Sequence, residues 1–395
     1  MIRKLPLTLI GTLLFSATVF SQHKTPLLTL IDTALNNAIR QYKYLATQVP
    51  QGVMPKTYYP VKKLETSSTS WWTSGFYPGS LLYLYEYSKD PAVKEEALQR
   101  LALLEKEQYN KGTHDLGFMM YCSYGNANRL LHDKKYEEIM VNSARSLSTR
   151  FNATVGSIRS WDSKAWKWPV IIDNMMNLEL LFWATRHTGD SSFYKIAVTH
   201  ANTTIKNHYR KDYSSWHVID YDVNTGNVLA KKTAQGFADS SAWARGQSWG
   251  LYGFTVMYRE TKDKKYLAQA MHIADFLLGH PNLPADKIPY WDYNSVDIPA
   301  TYRDVSAACV EASALIELSR YAGARGAAYL SAAEKILGVL ATRTYTAAPQ
   351  QIGGFILKHS VGNIPGNSEI DVPLTYADYY YIEAMMRYKA LKAKK

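Results

Sequence analysis

Two aspartates are placed where a carboxylate could do chemistry. Asp115 lies in THDLGFMMYCSYGN, residues 113–126, and Asp173 in WPVIIDNMMNLELLFWA, residues 168–184. Each opens a stretch whose apolar residues recur at helical spacing, and His114 stands beside Asp115 at the same helix mouth. Asp173 follows Val170, Ile171 and Ile172 and precedes Met175 and Met176. Burial there would raise its pKa towards the range useful for proton transfer. Taken singly, either aspartate is as well read as a helix N-cap. Their recurrence at two helix starts, both after loops on one side of the molecule, favours two carboxylates flanking a pocket. That is the usual equipment for glycoside chemistry.

The elements that must position them are helices. Apolar residues recur at helical spacing along nearly the whole chain; Leu28, Ile31, Leu35, Ile39, Tyr42 and Leu45 form one clear stripe. The pattern predicts twelve helices, at 26–49, 73–88, 91–108, 115–132, 134–149, 171–187, 191–208, 241–260, 263–279, 303–321, 326–342 and 374–391. Short polar turns join many of them in pairs, at 87–97, 131–140, 186–197 and 259–270, with a looser copy at 320–333. The other connections are long and aromatic-rich, as in 157–169 and 209–243, and long loops in a compact domain are usually functional. Six hairpins with short turns at one end and long loops at the other predict an all-α fold, an (α/α)6 barrel with one functional face. An open helical solenoid would hold a steadier repeat.

Composition sets outer bounds. Of 395 residues, 47% are hydrophobic and 20% charged, which suits a soluble globular chain with a sizeable core. Residues 1–21 read as a secretory signal: Arg3 and Lys4, an apolar run from Leu5, and short residues at Val19 and Ser21. This predicts a leader at 1–21, one catalytic domain at 22–395, and a periplasmic or secreted protein without a membrane span. Cys122 and Cys309 sit in apolar helical patterns, where buried free thiols are common. No ligand set for a metal is visible, and no cofactor is expected. The net charge is +11, or +9 once Arg3 and Lys4 leave with the leader. That balance suits an acidic ligand or simple solubility. The basic residues are scattered without a nucleic-acid-binding motif, so nucleic acid is not an expected partner.

The long connections and helix starts carry Trp71, Trp72, Trp161, Trp166, Trp168, Trp216, Trp243, Trp249 and Trp291. Some must pack the barrel. Wide aromatic faces beside polar groups are also what a sugar ring needs, stacking its C–H face while its hydroxyls find hydrogen bonds.

Six segments, in order along nearly the whole mature chain, carry a family likeness: WTSGFYPGSLLYLYE, HDLGF, IIDNMMNLELLFWA, SSAWARGQSWGLYGF, YWDY with YRDVSAA, and DYYYIEA. The chain resembles the unsaturated glucuronyl hydrolases, glycoside hydrolase family 88. The resemblance implies an enzyme that removes a 4,5-unsaturated glucuronic acid from the non-reducing end of lyase-made acidic oligosaccharides. It does so by hydrating the C-4=C-5 vinyl ether, not by displacement at the anomeric carbon. It implies Asp173 as general acid and base and Asp115 as its helper. His114, His217, Gln235 and Arg245 would hold the sugar's polar groups, Arg245 matching the uronate carboxylate with its guanidinium fork. Trp72 and Trp249 would stack on the ring. Without the resemblance, His217 reads as a plain loop histidine and Trp249 as core.

The chain departs from the family pattern in two places: Ser74 follows Trp-Thr where an acidic residue is frequent, and Ala234 stands where His precedes Gln-Gly. Residues 356–372 lie where the family meets the second sugar, and Lys358, His359 and Ser360 read either as a sulfate contact or as a solvated loop. The expected partner is the oligosaccharide substrate, with the protein a monomer or dimer. Three alternatives stand beside this reading: an unsaturated rhamnogalacturonyl hydrolase of family 105, a polysaccharide lyase on the same barrel, and a non-catalytic glycan-binding protein.

Overall fold

The computed structural model describes residues 26–393. The expected leader lies outside them. Helices α1 (Leu27–Gln48), α2 (Phe76–Ser88) and α3 (Pro91–Leu104) come first. A π-helical segment, Gly117–Gly125, runs into α4 (Asn126–Leu131), followed by α5 (Lys134–Ser148). A 3-10 segment, Ile172–Asn177, runs into α6 (Leu178–Thr188), followed by α7 (Ser191–His208). The last five are α8 (Ala244–Thr261), α9 (Lys264–Gly279), α10 (Val305–Leu318), α11 (Gly326–Leu340) and α12 (Thr375–Ala393).

The even-numbered helices form a closed inner ring: α2 meets the π segment of α4, which meets the 3-10 segment of α6, and α8, α10 and α12 lead back to α2. The odd-numbered helices pack outside, which completes the predicted (α/α)6 barrel. Burial follows this division. Outer α1 buries one stripe, Ile31, Ala34, Leu35, Ala38, Tyr42 and Leu45 among it. Inner α10 is buried at every position, Val305–Leu318. A helix packed on all sides is mostly apolar or small: Ala307, Ala308, Ala312, Ser313 and Ala314 let neighbouring helices approach, and the two buried glutamates are partnered, Glu311 by Ser248 and Tyr293 and Glu317 by Arg259 and Arg387.

The short turns explain the weak repeat. In four of them an inner helix ends on a left-handed residue, Lys89, His132, Gly189 or Lys262. An aspartate follows and caps the outer helix: Asp90, Asp133, Asp190 and Asp263 each accept from the backbone N–H two residues on. The looser fifth copy has a 3-10 turn, Gly323–Arg325, in place of the cap.

The long loops hold short strands that the helical pattern did not predict. All pair antiparallel: β1 (Met54–Tyr59) with β2 (Lys63–Ser67), β3 (Phe151–Asn152) with β4 (Ser157–Ile158), and β8 (Ser360–Asn363) with β9 (Ser368–Val372). A three-stranded sheet joins β5 (Pro169–Ile171), β6 (Val218–Tyr221) and β7 (Val228–Lys232). All lie at the end where the inner helices begin. Cys122 and Cys309 are both free and buried. No described helix is long and apolar enough to cross a membrane.

Candidate active site

The strands bring together residues that are far apart in sequence. In the β5–β6 register Ile171 lies opposite Val218, and the next step outward pairs Ile172 N–H with the His217 carbonyl at 3.1 Å. Asp173 and His217 are thereby set side by side, with His217 Nε2 3.6 Å from Asp173 Oδ2. Among the described residues neither atom has a hydrogen-bond partner.

Neither candidate aspartate is a cap. The π segment starts after Leu116 and the 3-10 segment after Ile171, each without a side-chain cap. Asp115 instead accepts from Thr113 Oγ1 at 3.1 Å and faces His114 Nε2 at 3.2 Å. His114 Nδ1 lies 2.7 Å from the Ser160 carbonyl. A carbonyl only accepts, so Nδ1 carries a proton there. Departures from α geometry inside helices are frequent at functional sites; here they open the two helices that carry the carboxylates.

Glycine makes this proximity possible. A Cβ on Gly117 would lie 2.4 Å from the Asn177 Cα, so any larger residue would push the two inner helices apart. Phe118 N–H donates to Asn177 Oδ1 at 3.0 Å across the same contact. Ser160 ties the two aspartate-bearing segments as well. Its carbonyl meets His114, and its hydroxyl donates to Asn174 Oδ1 at 2.8 Å and accepts from Ile171 N–H at 2.9 Å.

Burial pushes the Asp173 carboxyl up to about 7, and the nearby charge of Asp115 adds to the rise. Arg245 opposes it, and the Trp249 indole N–H, which approaches without closing a hydrogen bond, also favours the anion. Burial pushes His217 down to about 3, helped by the charge of Arg245, so its ring is neutral. Burial lowers His114 too, against the pull of Asp115.

Arg245 and Trp249 stand one turn apart on α8. The Arg245 guanidinium is sealed, with Nη1 3.1 Å from Asp304 Oδ2. Nη1 also donates to the Val361 carbonyl, and Nη2 to the Gly362 carbonyl at 2.7 Å. Among the described residues its Nε has no partner. Trp249 packs on Phe118 and Tyr380, with ring centroids 5.1 and 5.4 Å away. Trp72, half-buried in the turn before α2, meets Phe118 and Tyr376. Gln235 reaches the Gly362 carbonyl with Nε2 at 3.1 Å.

The structure gathers Asp115, His114, Asp173, His217, Gln235, Arg245, Trp72 and Trp249 at one barrel mouth. Lys358 and His359 are turned to other partners: Lys358 Nζ donates to the Arg343 carbonyl at 2.7 Å, and His359 Nδ1 meets Asp371 Oδ1 at 2.6 Å. The Ser360 hydroxyl is buried without a partner among the described residues. Sequence reasoning gave no role to Asp304, Ser160, Asn174 or Tyr376. Asp304 was visible within YRDVSAA, where its spacing to Ser306 is that of an N-cap; it accepts Ser306 N–H at 3.0 Å. Tyr376, beneath Arg245, carries a buried hydroxyl without a partner among the described residues. Among the described residues no three His, Cys, Asp or Glu side chains converge as a metal-ion site.

No family model matches the chain. It is 48% identical over 326 residues to an unsaturated glucuronyl hydrolase of Formosa agariphila, covering 82% of this chain and 81% of the relative. It is 31% identical over 370 residues to an unsaturated chondroitin disaccharide hydrolase of Streptococcus agalactiae, covering 91% of each. Among solved structures, an unsaturated glucuronyl hydrolase specific for heparin superposes with a TM-score of 0.90 at 48% identity, over 92% of this chain and 98% of that one. A variant of the Streptococcus agalactiae enzyme complexed with dGlcA-GalNAc6S gives 0.79 at 28% identity, over 92% and 93%. By this sequence likeness, and on the same helical barrel, the chain belongs to the unsaturated glucuronyl hydrolases.

Proposed function

We propose that this enzyme removes the 4,5-unsaturated glucuronic acid from the non-reducing end of lyase-generated glycosaminoglycan oligosaccharides by hydrating the C-4=C-5 bond. The observation that carries the mechanism is the Asp173 carboxyl: buried, without a partner on Oδ2, and with its pKa raised to about 7. Near neutrality a substantial fraction of it is protonated. The acid form gives its proton to C-4, and positive charge develops at C-5, stabilised by the ring oxygen. Water adds to C-5 and yields its proton to the Asp173 carboxylate, which restores the acid. The hemiketal at C-5 opens, and the glycosidic link at C-1 then breaks to release the second sugar. One carboxylate thus serves as acid and then base, and the net reaction consumes one water.

In this reading Asp115, held by the Thr113 hydroxyl beside His114, orients the sugar hydroxyls. Trp72 stacks on the ring, and the fully buried Trp249 acts through its indole N–H on Asp173. Arg245 places positive charge beside the uronate. The basic balance of the chain favours capture of an acidic substrate. We extend the proposal to location: residues 1–21 direct export, to the compartment where lyases release such fragments.

Loss of the unsaturated uronate absorbance, followed on lyase-made disaccharides with and without sulfate, tests the activity. The likeness to a heparin-specific structure puts heparin-type disaccharides first in that series and chondroitin-type second. The matching saturated β-glucuronide should remain intact, because it has no C-4=C-5 bond to protonate. Its cleavage would overturn the hydration mechanism in favour of displacement.

A further inference from the structure

His217 is held by an unusual pair of donors. Its Nδ1 accepts the backbone N–H of Ala234 at 3.1 Å and of Gln235 at 3.2 Å. A ring nitrogen that accepts must present a lone pair, and in a neutral imidazole the proton then resides on the other nitrogen. The two amides therefore select the Nε2–H tautomer. That N–H points at Asp173 Oδ2 from 3.6 Å. Both atoms are buried and otherwise without partners among the described residues, and buried polar groups carry a substantial penalty unless paired. A small movement of either side chain, or one substrate or water oxygen between them, satisfies both.

The loop that supplies the two amides is itself anchored. Gly236 N–H donates to Thr233 Oγ1 at 2.8 Å, and Thr233 N–H to Asp239 Oδ1 at 2.9 Å. The Gln235 side chain crosses to β8, where its Nε2 meets the Gly362 carbonyl at 3.1 Å. The same carbonyl accepts Arg245 Nη2 at 2.7 Å. Ala234 contributes only its amide, so the side chain at this position is free to differ from the histidine frequent in the family.

We propose that Gln235 is a positioning residue: by anchoring its loop to Gly362 it presents the amides of residues 234 and 235 to His217, and so locks His217 as a neutral Nε2–H donor to the Asp173 carboxylate. This rests on the reading of Asp173 as the proton carrier. It gives His217 a definite part in that cycle. Its N–H favours the anionic form of Asp173, the form that must take the proton of the attacking water. His217 itself is not a base. The charged or titratable groups around His217 are Asp173, Arg245 and His208; those around Asp173 are Arg245, Asp115 and His217.

The test combines nitrogen NMR of histidine-labelled enzyme with kinetics. The His217 ring signals are assigned by their loss in His217→Gln. The wild-type enzyme should show a protonated Nε2 and an unprotonated Nδ1 from pH 5 to 8. Gln235→Ala should mix the tautomers and lower kcat about tenfold with little change in KM. It should also move the alkaline limb of kcat upward by about one pH unit, because Asp173 loses a donor that favours its anion. His217→Gln retains an N–H donor and should keep the limb nearer wild type than His217→Ala, a comparison that stands even if Gln235→Ala folds poorly. An Nδ1–H ring or an imidazolium in the wild type would overturn the proposal. So would a Gln235→Ala enzyme with an unchanged tautomer and only a raised KM, which would make Gln235 a substrate ligand. If no unsaturated uronide is cleaved at all, the functional reading fails, while the ring signals still decide the tautomer.

Discussion

Arg245 and Asp304 form an ion pair at 3.1 Å in which the arginine side chain is 1% exposed and the aspartate 0%. The pair joins the start of α8 to the start of α10, and the remaining Arg245 bonds hold the carbonyls of β8. The fork expected to grip a uronate is thus largely occupied by the protein, and its charge acts on the site through space. Removing one partner of a buried pair strands the other and costs about 3–5 kcal/mol. Asp304→Asn and Arg245→Lys should each lower the melting temperature by several degrees; the lysine keeps the charge but cannot reproduce the fork. An Arg245→Lys enzyme with a wild-type melt and only a raised KM would return Arg245 to the role of a simple substrate ligand.

Trp249 and Trp72 should separate in the same kind of experiment. Trp249 is fully buried among Phe118 and Tyr380, so Trp249→Ala should destabilise the barrel by about 3–5 kcal/mol. Trp249→Phe keeps most of the packing but removes the N–H that favours the Asp173 anion. Its kcat profile should therefore extend to higher pH. Trp72 is only half-buried, and Trp72→Ala should act mainly on KM. Equal melts for the two alanine variants would count against this division.

The helices were legible in the sequence because a barrel of helical hairpins writes its pattern locally. Outer α1 shows a stripe, and the aspartates after left-handed residues mark the turns. The strands were not legible. β5 is three residues and β3 two, too short for a period of two to show, and their pairing joins segments far apart in sequence. The same limit applies to the site. Asp173 was recognisable because a carboxylate among Ile171, Ile172, Met175 and Met176 is costly unless useful. His217 was named only through the family resemblance, as a sugar contact, since only the β5–β6 register sets it beside Asp173. Lys358 shows the converse: a cation in the right loop whose side chain is directed to a neighbouring carbonyl.

The raised pKa of Asp173 has a cost in stability with a definite sign. The unfolded chain ionises an aspartate near 3.9, while the folded site holds its proton to about 7. Between those values the folded state binds the extra proton, so stability falls as pH rises and the penalty is complete above the upper value. Three units at ~1.36 kcal/mol each give on the order of 4 kcal/mol. Asp173→Asn, neutral and of the same shape, escapes it. Melts from pH 4 to 8 should show the variant above wild type at pH 8 and level with it near pH 4. A variant that melts no higher than wild type at pH 8 would mean the carboxylate is better solvated than its burial indicates.

The division of labour between the two aspartates is the most direct test of the site. Asp115 caps no helix; its carboxylate meets Thr113 and His114, so Asp115→Asn should leave the melt close to wild type. If it orients the sugar, that variant should lose most of kcat. Asp173→Asn should lose more, since it removes both the proton for C-4 and the acceptor for the water's proton; general acid–base help is worth ~10²–10⁴ in rate. The wild-type kcat should fall as pH rises through about 7, the value at which Asp173 loses its proton, and Asp115→Asn should move that limb downward, because a negative neighbour that raises the Asp173 pKa has gone. The measurements are kcat–pH profiles for both Asn variants beside their thermal melts. A folded Asp173→Asn enzyme turning over near the wild-type rate would falsify the assignment of the proton to Asp173.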